Sequence, residues 1–96
     1  MVRTYEVAFL IKEGEIAKAV VERIKEYFSK AKATVVSESD MGNRQLAYPI
    51  HRNREDFHRA FYYFVKAEMA PTQVKEFEHL LKFDEDVIRH MVLLGE

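Results

Sequence analysis

The 96 residues contain no cysteine and no tryptophan, and glycine and proline are scarce, at three and two. Without cysteine there is no disulfide framework and no thiolate chemistry, which fits a reducing compartment, and the cytoplasm is the expectation. The glycines, Gly14, Gly42 and Gly95, stand in no phosphate-loop spacing, so nucleotide hydrolysis is not expected. No run of apolar residues approaches a membrane span, and Met1–Glu6 lacks the character of a secretory signal, so a soluble protein without a membrane partner is expected. The four histidines, His51, His58, His79 and His90, form no ligand pair at helical spacing, so no metal is expected. Ser29, Ser37 and Ser39 sit in no nucleophile-elbow setting. The acids Glu76/Glu78 and Asp84/Glu85/Asp86 are expected to solvate a helix end and a loop rather than to act as acid–base couples. No enzyme activity, cofactor or small-molecule substrate is expected.

What is present is an ordinary globular balance, 48% hydrophobic and 32% charged. It excludes disorder and suits a single domain over residues 1–96. Net charge is −1, so any attraction for a polyanion must come from local clustering. Between Met41 and Arg59 stand Arg44, Arg52, Arg54 and Arg59 against Glu55 and Asp56. From Glu68 onward the balance is reversed: Glu68, Glu76, Glu78, Asp84, Glu85, Asp86 and Glu96 face only Lys75, Lys82 and Arg89.

Hydrophobic periodicity gives the elements. Tyr5–Ile11 reads as a strand with neighbours on both sides. Ile16, Ala17, Val20, Val21, Ile24, Tyr27, Phe28 and Ala31 share one side of a helix. A second extended stretch opens at Val35-Val36, bends or bulges at Gly42, and resumes in Leu46–Ile50, where alternation places Leu46, Tyr48 and Ile50 on one face. Pro49 has no amide hydrogen, which assigns this strand to a sheet edge. Arg52–Asp56 reads as a polar connection to a third strand, Phe61–Val65. Pro71 opens a second helix, with Val74, Phe77, Leu80 and Leu81 as its stripe. Val87–Leu94 is a fourth strand, apolar on both faces. The order βαββαβ closes as a ferredoxin-like α+β fold, a four-stranded antiparallel sheet with both helices on one face. The other face then meets water or a partner.

Arg44, Arg52, Arg54 and Arg59 fall along the second strand, the hairpin and the start of the third, and are expected near one end and edge of the sheet. A guanidinium fork can bond phosphate through two donors and stays charged at neutral pH. Arginines also protect exposed edge strands from aggregation, which accounts for such a cluster without any ligand. Arg3 on the first strand is a weaker addition. The run Arg59-Ala60-Phe61-Tyr62-Tyr63-Phe64-Val65 has a poor likeness to the base-stacking signature of RNA-recognition motifs, with Ala60 where glycine is expected. Alternate members of the run must also enter the core.

The segment Asn43-Arg44-Gln45-Leu46-Ala47-Tyr48-Pro49-Ile50 resembles the signature of the bacterial small-subunit ribosomal protein S6 family. Arg3-Thr4-Tyr5-Glu6, the helix start at Ala70-Pro71, and Phe83–Val92 resemble the same family at corresponding places. The resemblance implies a structural role: contact with small-subunit ribosomal RNA and pairing with ribosomal protein S18 in the cytoplasmic ribosome. On the family pattern Arg3 and Arg44 are the positions for RNA contact, while Arg52, Arg54 and Arg59 rest on local charge. Asn43 departs from the pattern, since relatives often carry a second basic residue there, and the connection from His51 to Phe61 is longer than is usual in the family. The alternative is a protein-interaction module that uses its open sheet face or edge strand without RNA.

Overall fold

A computed structural model describes residues 1–95; the acidic Glu96 lies outside the described residues. The elements are β1 (Arg3–Ile11), α1 (Ile16–Lys30), β2 (Thr34–Arg52), β3 (Glu55–Met69), α2 (Pro71–Leu81) and β4 (Val87–Leu94). The strands form one antiparallel sheet in the order β2-β3-β1-β4. This is the ferredoxin-like arrangement, and Pro49 does lie on an edge strand.

Alternation along the two central strands sorts the side chains. Val7, Phe9 and Ile11 of β1 and Tyr63, Val65, Ala67 and Met69 of β3 are buried against Ala17, Val20, Ile24 and Phe28 of α1 and Phe77 and Leu81 of α2. Aromatic rings fill the middle. Phe28 stacks on Phe77 at 4.1 Å between centroids, and Phe9 meets both rings edge-on. Adjacent residues point the other way, so Ala8, Leu10, Tyr62 and Phe64 line the face that no helix covers.

The helices are joined by polar contacts. The Ala70 amide donates to Gln73 Oε1 at 2.6 Å, closing the first turn of α2, and Gln73 Nε2 donates to the carbonyls of Ala31 and Lys32 just beyond α1. A second tie corrects the reading of the acidic run as a solvated loop. Asp84 is only 6% exposed. Arg23 on α1 donates to it through Nε at 3.0 Å and Nη2 at 2.7 Å, and the Tyr27 hydroxyl donates at 2.8 Å. Arg23 Nη2 also reaches Asp86 at 2.9 Å. Three opposed charges thus fasten the α2–β4 connection to α1; of the run, only Glu85 stays exposed.

The β2–β3 hairpin is longer than the sequence suggests. The connection is not Arg52–Asp56 but only Asn53 and Arg54, both with positive φ (52° and 65°). Two such residues match the twist of a two-residue antiparallel turn, so the ladder continues to Arg52↔Glu55. Since β1 stops opposite Phe61, the far part of this hairpin projects past the central strands as a two-stranded arm. The register shifts at Gly42, as expected, and again between Gln45 and Ile50. That second irregularity corrects the placing of Tyr48. Leu46 and Ile50 are buried, but Tyr48 is 65% exposed, because strict alternation fails across the bulge. Leu46, Ile50 and Ala60 pack with Ile88, which bends the arm across the end of the sheet onto the start of β4.

Candidate nucleic-acid interface

The arm carries four of the five arginines singled out above. Arg44 lies opposite Ala60 and is exposed; its Nε donates to the Met41 carbonyl at 3.1 Å, across the Gly42 bulge. Arg59 lies opposite Gln45, also exposed, with Nε 3.2 Å from Glu13 Oε2. Arg54 occupies the turn and is exposed. Arg52 ends β2, half-buried, with a buried Nε that has no hydrogen-bond partner among the described residues.

These residues share one element but not one face. The pairs Arg44↔Ala60 and Gln45↔Arg59 are successive rungs, so Arg44 and Arg59 project to opposite sides of the ribbon. The expected single cationic surface is therefore a ribbon with guanidinium groups on both sides. Arg3 is not brought to it. Arg3 pairs with Met69, ten residues along β3 from Arg59, a separation of roughly 33 Å at strand rise.

Local ion pairs differentiate the cations. Arg59 shares its charge with Glu13, and His51 Nδ1 lies 2.8 Å from Asp56 Oδ1. Lys12 sits between Glu55 and Asp86 at 3.8 and 3.7 Å. Arg44 and Arg54 have no carboxylate within salt-bridge range among the described residues, so each could meet a phosphate without breaking an ion pair.

Sequence reasoning missed Lys82 and Arg89, which fall in the acidic half of the chain yet border the same cleft as Arg52. The bend of the arm brings Arg52 to that cleft, and no local pattern records it. The aromatic run divides as alternation requires: Tyr63 is buried and Phe61 packs beside it, while Tyr62 and Phe64 sit half-buried on the open face with centroids 6.5 Å apart. Among the described residues no group of three or more histidines and acids is placed to hold a metal ion. No described helix is long and apolar enough to cross a membrane.

Fold and site together define a ferredoxin-like α+β domain with a basic β-arm and one uncovered sheet face. The family model for ribosomal protein S6 matches residues 4–93, nearly the whole chain, and the chain belongs to that family. It is accordingly a ribosomal protein of the small subunit, placed by its family in the cytoplasmic ribosome; the family is structural rather than enzymatic. Among solved structures, the 30S ribosomal protein S6 of Thermotoga maritima superposes with a TM-score of 0.86 at 23% identity, covering 99% of this chain and 89% of that one. An uncharacterized protein of Thermotoga maritima matches at a TM-score of 0.62 and 14% identity over 100% of both chains, a likeness of fold.

Proposed function

We propose that the chain binds small-subunit ribosomal RNA through its β2–β3 arm and pairs with ribosomal protein S18 through surface that the helices leave uncovered. The observation that carries the RNA half is the pair Arg44 and Arg54, exposed on a projecting ribbon with no carboxylate partner among the described residues. A two-stranded ribbon with cations on both sides suits a groove or junction, where phosphates approach from two directions. Arg52 and Arg59 extend the set; Arg3, at the far end of β1, would meet a separate stretch of RNA. Contact through phosphates makes the complex sensitive to salt, because binding releases counterions.

The test is titration of a small-subunit ribosomal RNA fragment with the wild-type chain and with the double variant Arg44→Ala/Arg54→Ala. Affinity is expected to fall at least about tenfold and the slope of log K against log salt to flatten by about 1 to 2, one increment for each phosphate that the variant no longer neutralises. Unfolding free energy should stay within about 1 kcal/mol, as for exposed sites. Unchanged affinity removes the arm from the interface.

A reading without RNA rests on a different observation: Met91 and Leu93 on β4 are each more than half exposed beside Ala8, Leu10 and Phe64. Such a strip suits a protein partner. A chain that captures S18 but leaves RNA unbound at low salt would favour that alternative.

A further inference from the structure

The β2–β3 arm meets the body of the fold through two contacts of different kinds. One is apolar: Leu46, Ile50 and Ala60 of the arm are buried with Ile88 at the start of β4, and Phe57 packs against them. The other is ionic. Glu55, Phe57 and Arg59 alternate along β3, which turns them to one side of the ribbon, and the residues that follow β1 answer them in charge. Lys12 Nζ stands 3.8 Å from Glu55 Oε1 and 5.7 Å from the centre of the Phe57 ring, while Arg59 Nε donates to Glu13 Oε2 at 3.2 Å. The order of charges matters, since exchanging Lys12 and Glu13 would set like against like at both ends.

The body side of the ionic contact is anchored. The Lys12 amide donates to the Asp86 carbonyl at 3.0 Å, and its ammonium lies 3.7 Å from Asp86 Oδ1, on an aspartate that Arg23 also binds. The arm side is held by side chains: among the described residues no backbone hydrogen bond joins Lys12 or Glu13 to the arm. Clefts of about 330 and 430 Å³ lie between arm and body, and Lys12 borders both. The side chains of Glu55 and Arg59 are 59% and 50% exposed. Ion pairs so placed are individually weak and are screened by salt, whereas burial around Ile88 does not depend on charge. The ionic contact can therefore open while the apolar one stays closed.

We propose that Lys12 and Glu13 form a salt-sensitive latch that sets the angle of the arm, with the apolar contact around Ile88 as its pivot. Closed, the latch neutralises Glu55 and Arg59. Open, it returns both charges to solvent and lets the arm swing. The device rests on neither the RNA nor the S18 reading.

Because the chain has no cysteine, spin labels can be placed at two chosen positions of the full-length protein. Labels on Asp56→Cys, near the turn of the arm, and Glu76→Cys, on α2, are both exposed and outside the latch, and pulsed electron resonance then reads the arm-to-body distance. One narrow distance population is expected at low ionic strength. In about 1 M sodium chloride, where the screening length falls to about 3 Å, a second population is expected. Lys12→Gln/Glu13→Gln should show that second population already at low salt, enriched about threefold or more, the scale of two weak ion pairs, and should lose the response to salt. The exchanged pair Glu13→Arg/Arg59→Glu should restore the narrow distribution that Glu13→Arg alone loses. An identical narrow distribution at low and high salt overturns the latch, and since that series alters no latch residue, it decides the matter even where a variant fails to fold. A salt response undiminished in Lys12→Gln/Glu13→Gln overturns it as well, because the response then arises elsewhere.

Discussion

Asp84 concentrates the competing forces of this fold on one carboxylate. Burial by itself pushes its pKa up, but hydrogen bonds from Arg23, Tyr27 and the Asp86 amide outweigh burial and hold it below the ordinary carboxylate value. A depressed folded-state pKa means stability that is present above the unfolded value, about 3.9, and is lost as pH falls through the lower folded value. Asp84→Asn keeps the shape and removes the charge, so it should cost about 2 kcal/mol in urea unfolding at pH 7, the scale of charge-assisted hydrogen bonds. The same substitution should cost progressively less at acid pH, as the wild-type carboxylate takes up its proton below the unfolded value. An equal penalty at neutral and acid pH would mean that shape rather than charge holds the connection. The role of Asp84 was hidden in the sequence because its partners Arg23 and Tyr27 lie some sixty residues away on another helix. A run of acids beside a helix end reads locally as solvated, and for the exposed Glu85 that reading holds.

At the scale of elements, the hairpin turn sets the arm. Asn53 tolerates a left-handed conformation, but Arg54 beside it carries a Cβ that glycine would not. Arg54→Gly should therefore stabilise the chain by about 1 kcal/mol in thermal or urea unfolding, while weakening RNA binding on the reading proposed above. Stability gained together with undiminished RNA affinity would assign Arg54 to chance rather than to contact. Most of the architecture was legible because hydrophobic periodicity declares itself: the α1 stripe, the continuous apolar run of β1 and the alternation in β3 each lie where the spacing puts them. The ends of the hairpin were not legible, since His51–Asp56 is polar on both strands and resembles a loop, and Asn-Arg lacks the usual glycine of such a turn. Tyr48 was misplaced for a related reason. Alternation is a sound guide only while every residue has a cross-strand partner, and Ala47–Pro49 lies within a register shift. The basic arm was therefore visible in the arginine count, but its two-sided character and its approach to the start of β4 depended on the register and the bend.

The molecule as a whole has two layers, and one side of its sheet stays open. Ala8, Leu10, Tyr62, Phe64, Met91 and Leu93 form an apolar strip there, with Met91 and Leu93 more than half exposed. If S18 covers this strip, Met91→Asp should abolish co-elution with S18 on size exclusion. Unfolding free energy should change by no more than about 0.5 kcal/mol, since the side chain is largely solvated in the free chain. Retained co-elution would move the partner to another surface, the outer edge of β2 being the next candidate. The net charge of −1 gives the whole chain little long-range attraction for a polyanion, so on the proposed reading the arm acts at short range.

The strand register also dictates an order of assembly during synthesis. Tyr5 pairs with Leu94, and the Gly95 amide donates to the Thr4 carbonyl at 2.9 Å, so the first strand of this sheet in chain order borders its last. While the nascent peptide grows, β1 can recruit β3 but must wait for β4, leaving one row of its amides and carbonyls open to strangers until β4 emerges.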